Sequence, residues 1–177
     1  PADPSWQLKA MRIRDLITMT TGHRKEPRLF NAKSHWVRAF LHSEVEFKPG
    51  THFQYNSAAT YMLSAILQSV TEERIVDYLD KRLFQPLEIK KPDWDLSPEG
   101  VNTGGWGLRI TTEDIAKLGQ LYLQKGVWKG QRILSEVWVQ EATSKQTSNG
   151  SDPDNDWDQG YGFQFWRCRN NCYRGDG

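Results

Sequence analysis

Apolar positions recur along this chain mostly at helical spacing. Between Met11 and Thr20, the residues Ile13, Leu16, Ile17 and Thr20 fall at i, i+3, i+4 and i+7. That spacing predicts an amphipathic helix, with Gly22 as its C-terminal stop. A second helix is predicted from Ala32 to Leu41, carrying Trp36, Val37 and Phe40 on one face. The widest apolar stripe runs from Ser57 to Val70 through Tyr61, Met62, Ala65, Ile66 and Val70, and predicts a central buried helix. Glu73 to Phe84 repeats the pattern with Ile75, Val76, Leu79 and Leu83 until Pro86 ends it.

The pattern then breaks. Pro92, Pro98, Gly100, Gly104, Gly105 and Gly107 predict a long loop, and loops of that length inside compact domains are often functional. Helical spacing returns with Thr111 or Thr112 as N-cap, acidic Glu113 and Asp114 in the first turn, and Ile115, Leu118, Leu121 and Tyr122 on one face up to Gly126. A short helix is predicted from Ser135 to Ala142. Ser144 to Asp158 is polar and reads as an exposed loop. Tyr161, Phe163 and Phe165 alternate with Gly162, Gln164 and Trp166, a strand signal. The expected fold is therefore mostly α, one domain over residues 1–177, with a β element near the C-terminus.

Charge narrows the function classes. Lys and Arg number 23 against 22 Asp and Glu, a net +1, which argues against nucleic-acid binding driven by bulk charge. Mean hydropathy is −0.71, but aromatics reach 12%, too many for a disordered chain. No apolar run approaches the roughly 18 residues of a membrane helix. Pro1-Ala2-Asp3-Pro4 has neither the basic nor the apolar stretch of a signal peptide. His23, His35, His42 and His52 lack paired ligand spacing, so no metal or cofactor is expected. Cys168 and Cys172 flank Arg169-Asn170-Asn171, good turn chemistry that would set them across a hairpin, either as a disulfide or as two thiols.

Motifs for chemistry are mostly missing. No serine has a lysine three residues on, and G-x-S-x-G, H-E-x-x-H and Walker sequences are absent. Ile110 occupies the last glycine position of a G-x-G-x-x-G begun at Gly105. What stands out is Tyr55-Asn56-Ser57, before the most apolar helix. One reading is plain capping by Asn56 or Ser57 with Tyr55 packed outside. The other holds Tyr55 in a cleft as a general base.

The order of five segments between residues 11 and 116 then carries a resemblance. Ile13-Arg14-Asp15-Leu16-Ile17 with Thr20-Thr21-Gly22, Pro49-Gly50 with Phe53 and Tyr55-Asn56-Ser57, Tyr61-Met62-Leu63, Phe84-Gln85-Pro86-Leu87, and Gly104-Gly105 with Thr112 and Asp114-Ile115-Ala116 follow one another. This series resembles the serine β-lactamase-related family of class C β-lactamases, D-alanyl-D-alanine carboxypeptidases and related esterases and amidases.

The resemblance implies the helical subdomain of the α/β β-lactamase/transpeptidase-like fold, lying between a Ser-x-x-Lys nucleophile motif before Pro1 and a third motif near Gly175-Asp176-Gly177. The absent initiator Met and the stop at Gly177 suit such an internal piece. Tyr55 matches the family tyrosine that helps deprotonate the serine. Without the motif lysine beside it, an ordinary phenol is expected. Ser57 stands where the family has Asn, and Asn56 is a neighbouring substitute. These departures favour a diverged hydrolase or esterase. Trp106 is either a cleft wall or a loop anchor. Gly175 and Asp176 are candidate substrate contacts, and Arg174 and Asp176 bind a carboxylate or pair with each other. Trp36, Trp94, Trp128, Trp138 and Trp157 read as packing, and Trp166 and Tyr161 as sheet-facing core.

The expected activity is acyl transfer to an amide or ester substrate, completed by the α/β half of the same chain, with this piece inactive alone. The family suggests a periplasmic or secreted setting. Two other classes remain open: a carbohydrate- or peptide-binding module using the eight tryptophans, and a degenerate sensor or scaffold member of the family.

Overall fold

The computed structural model describes residues 3–29 and 32–176. Gly177, the last residue of the expected third motif, lies outside them, as do Pro1 and Ala2. In chain order the elements are α1 (Trp6–Ala10), α2 (Ile13–Ile17), α3 (Trp36–His42), α4 (Ser57–Thr71), α5 (Ile75–Leu79), a π-helical turn Asp80–Phe84, and β1 (Asp93–Trp94). Then follow β2 (Leu108–Arg109), α6 (Thr112–Leu123), β3 (Val127–Trp128), β4 (Gln131–Arg132), α7 (Glu136–Thr143), β5 (Trp166–Arg167), a 3₁₀ turn Arg169–Asn171, and β6 (Tyr173–Arg174). Among the described residues the strands form three separate antiparallel pairs, β1–β2, β3–β4 and β5–β6.

Caps explain most helix starts. Thr111 and Ser135 accept from the backbone N–H of Asp114 and Trp138 at the starts of α6 and α7. Asp15 closes α2 differently: its carboxylate accepts the Arg12 backbone N–H at 2.8 Å and the Arg12 guanidinium at 3.1 and 3.2 Å. α2 is shorter than its spacing predicts. It ends at Ile17, and Met19 takes the left-handed conformation expected of Gly22. Ile13, on the predicted apolar face, is 58% exposed. Gly22 has another duty. Its carbonyl accepts from Glu46 and Phe47, and a Cβ there would lie 2.3 Å from the Phe47 carbonyl oxygen, so only glycine permits this approach.

Two expectations need correction. The stretch after Pro92 is a hairpin: Asp93 and Trp94 pair with Arg109 and Leu108, and Leu96 bridges Asn102. Its glycines serve tight turns and close packing. The strand expected over Tyr161–Trp166 is instead a tight turn, with Tyr161 bridged to Trp166, Gln164 left-handed, and the paired strand beginning only at Trp166. Alternation there reflects a knot of packed rings.

One core cluster surrounds α4, joining Leu16, Met19, Trp36, Phe40, Ala58, Ala59, Tyr61, Met62 and Tyr161. A second gathers Val76, Phe84, Leu87, Ile89 and Leu121. Asn102, fully buried, links the two regions. Its side chain accepts from the Val76 N–H and donates to the Trp94 carbonyl, while its own carbonyl accepts from Ser64. The hairpin loop is thereby pressed onto α4, where a Cβ on Gly104 would sit 2.9 Å from the Thr60 carbonyl oxygen.

Candidate functional site

The chain approaches α4 along a fixed path. The Gly50 N–H donates to the Thr20 carbonyl at 2.8 Å, and the Gln54 N–H to Met19 at 2.9 Å. These bonds lay residues 50–54 beside the segment that leaves α2 and deliver Tyr55 to the start of α4.

Asn56 is the N-cap. Its Oδ1 accepts the Ala59 N–H at 3.1 Å, and its Nδ2 donates to Thr21 Oγ1 at 3.4 Å. The residue has no exposed surface. The capping reading therefore describes Asn56, and a substrate contact from its side chain has no open path. Below it runs a polar chain. Thr21 Oγ1 and His23 Nδ1 lie 2.8 Å apart, as do His23 Nε2 and Ser43 Oγ. Ser43 Oγ donates to the Phe40 carbonyl at 2.5 Å, so it accepts from His23 Nε2–H. His23 Nδ1 is then the acceptor for Thr21, and the ring is neutral. Burial alone pulls its pKa down to about 4.

Tyr55 sits above this chain, 37% exposed. Its ring stacks on Trp166 with centroids 5.5 Å apart and planes at 25°. Trp166 meets Tyr161, Phe53 and Trp157 edge-on at 5.1, 5.7 and 5.1 Å. The Tyr55 phenol is not the ordinary one expected. Burial raises its pKa first, then the negative charges of Glu26 and Asp176. Glu26 is held there by accepting the Ala58 N–H at 3.2 Å, a carboxylate placed at the positive end of α4.

Ser57 is half-buried, and its hydroxyl makes no hydrogen bond among the described residues. Its Cβ packs on Gly105, which brings the hairpin loop beside it. Trp106 packs against the α4 core with its ring 5.9 Å from Trp36, and its carbonyl accepts from Trp94 Nε1 and Thr103 Oγ1. Those bonds are those of a loop anchor. Across the site, Arg174 pairs with Asp156 at 2.7 Å and Asp176 at 2.9 Å, and its guanidinium lies 3.7 Å over the Trp157 ring. The pairing alternative thus describes Arg174 and Asp176. Gly175 is exposed, with nothing among the described residues within 4 Å of a Cβ placed on it.

The structure therefore brings Tyr55, Ser57, Trp106 and Asp176 to one region around the start of α4, and puts Asn56 beneath it. Sequence reasoning missed Glu26; Trp157, read as packing, does pack against Trp166 and the Arg174 guanidinium while staying 47% exposed. Glu26 carries no local signal, since its partners Tyr55 and Ala58 lie 29 and 32 positions on. The hairpin expected at Cys168 and Cys172 is present, with the Cys168 N–H donating to the Cys172 carbonyl at 2.9 Å and both thiols unbonded to each other. Among the described residues no cluster of His, Cys, Asp or Glu suits a metal ion, and no helix is long and apolar enough to cross a membrane.

A largely helical fold with Tyr55 beside the N-terminus of a buried helix fits one class of protein. The Beta-lactamase family model matches residues 1–172, and the chain belongs to that family. Among curated proteins it is 33% identical over 89 residues to a 6-aminohexanoate-dimer hydrolase of Paenarthrobacter ureafaciens, an alignment covering 50% of this chain and 23% of that one. Among solved structures it is similar to a candidate 6-aminohexanoate-dimer hydrolase from Bacillus anthracis, with TM-score 0.79, 17% identity, and coverage of 94% of this chain and 50% of that one. A penicillin binding protein from Bacillus halodurans follows with TM-score 0.68, 18% identity, and coverage of 97% and 60%. The structural likeness is one of fold. The chain spans about half the length of the first of these structures.

Proposed function

We propose that this chain is the helical part of a serine hydrolase that cleaves an amide or ester by acyl transfer. Residues 1–177 form one unit of that larger protein. The serine nucleophile and the lysine that ionises it come from the remaining half, so this part alone is inactive. Tyr55 is the proton-handling group and Ser57 a hydrogen-bond donor to the substrate. Trp106, Gly175 and Asp176 border the cleft. The observation that carries this reading is the placement of Tyr55. It stands with its phenol partly open at the start of the buried helix α4, braced from below by the Asn56 cap and from the side by Trp166.

The raised phenol pKa supports the division of labour. Glu26 and Asp176 oppose ionisation of Tyr55, so a cation from outside these residues is needed to make it a base near neutral pH. Similarity to a protein named 6-aminohexanoate-dimer hydrolase supports an amide substrate.

Two assays test the proposal. The 177-residue chain is expected to release no p-nitrophenol from p-nitrophenyl acetate above buffer. Tyr55→Phe in the full-length protein is expected to lower kcat by about 10²–10⁴-fold, the usual worth of a positioned acid–base group. Tyr55-dependent turnover by the chain alone would overturn the need for a second half, and unchanged kcat in Tyr55→Phe would overturn the role of Tyr55.

A further inference from the structure

Strand alternation gives the β5–β6 hairpin two faces. Trp166 and Arg174, paired across the strands, face Trp157 and the candidate site. Arg167 and Tyr173, the next pair, face the other way. There they line an open cavity of about 650 Å³ between the hairpin and the C-terminal end of α7.

The lining of this cavity is one-sided in charge. Lys145, Arg167 and Arg169 contribute three cations, Tyr173, Gln159 and Asn171 contribute neutral polar groups, and among the described residues no Asp or Glu lines it. Arg167 is fixed by neutral acceptors. Its guanidinium donates to the Thr143 carbonyl at 2.7 Å and to Asn171 Oδ1 at 2.6 Å, so its position is set while its charge stays uncompensated. Lys145 has no ion pair among the described residues, and its methylenes lie along Gly160. Arg169 donates its guanidinium N–H to the Asp154 carbonyl at 3.1 Å, with the Asp154 carboxylate at 4.0 Å, and its backbone N–H to the Asp156 carboxylate at 2.8 Å, so its charge is partly offset from outside the cavity. A guanidinium held rigid by neutral oxygens keeps its remaining N–H donors for an oxyanion.

We propose that this cavity binds a small ligand carrying two or more oxyanion groups, phosphate or carboxylate, with Arg167 as the fixed anchor and Lys145 and Arg169 as flanking charges. The site lies on the reverse face of the hairpin from Tyr55 and is independent of the hydrolase reading.

Titration calorimetry of the chain with sodium pyrophosphate and, separately, sodium citrate tests this near neutral pH at fixed ionic strength. Saturable binding of at least one probe is expected. Binding of both assigns recognition to paired oxyanions in general, and binding of pyrophosphate or citrate alone narrows it to phosphate or carboxylate. The double variant Lys145→Gln/Arg169→Gln, which changes two exposed side chains, is expected to weaken binding at least about tenfold with an unchanged circular dichroism spectrum. Arg167→Gln is expected to abolish binding. Should it unfold the hairpin, the double variant still decides. Absence of saturation by both probes up to ~10 mM, or equal affinity in the double variant, would overturn the proposal.

Discussion

Lowering the pH should unfasten the structure at His23 before most carboxylates titrate. His23 is 1% exposed, and burial sets its pKa near 4 against the ordinary value of 6.5. In the unfolded chain the imidazole returns to that ordinary value. Below about pH 6.5 the unfolded state therefore binds the proton and the folded state does not, so stability falls with pH. The loss runs from about pH 6.5 down to about pH 4 and then levels off. Its size is on the order of 3 kcal/mol in total, with roughly 2 kcal/mol lost by about pH 5. The contacts give the reason. His23 Nε2–H is committed to Ser43, and Nδ1 accepts from Thr21, which accepts in turn from Asn56. A proton on Nδ1 would strand the Thr21 hydroxyl hydrogen and place an unpaired charge in a buried site against the Phe40 ring. Urea unfolding of the wild type and His23→Gln, followed by tryptophan fluorescence over this pH range, measures the effect. The wild type is expected to lose its advantage over the variant as pH falls. Parallel stability profiles, with a difference constant to within ~0.5 kcal/mol, would refute the assignment of a buried neutral His23.

Three further outcomes follow from the same geometry. Asn56→Ala removes the α4 cap and leaves the Thr21 hydroxyl without a donor, so urea denaturation should show a loss of about 1–2 kcal/mol. Gly104→Ala and Gly100→Ala both force alanine into positive φ, 74° and 76°, but only the first meets backbone, 2.9 Å from the Thr60 carbonyl oxygen. Thermal unfolding should therefore rank Gly104→Ala as the more damaging, with Gly100→Ala costing only about 1 kcal/mol. Tyr61→Phe removes the hydroxyl that donates to Ser97 Oγ at 3.1 Å inside the core, and should cost about 1 kcal/mol by the same assay.

Local periodicity read well wherever one helix packed by one face. α4 and α6 begin and end within a few residues of their predicted bounds, because an apolar stripe plus a cap is a local property of the chain. It read poorly where partners intervened. α2 stops early because the segment from Met19 onward is recruited by Gly50 and Gln54 through backbone bonds. The helix expected to run to Phe84 loosens into a π turn after Leu79. The alternation after Gly160 mimicked a strand because Tyr161, Phe163 and Trp166 each meet a ring or cation contributed from elsewhere in the chain.

Family membership was written in residue types and their order, and the same order singled out Tyr55 as the candidate. The tertiary structure decided which neighbours that residue has. Glu26 reaches it from 29 positions upstream in the sequence, and Trp166 and Asp176 from more than 100 downstream. Folding alone set those distances, and with them the raised phenol pKa, the buried Asn56 and the neutral His23. Periodicity reports which face of an element avoids water. Charge and burial around a side chain are sums over everything that the fold brings near it.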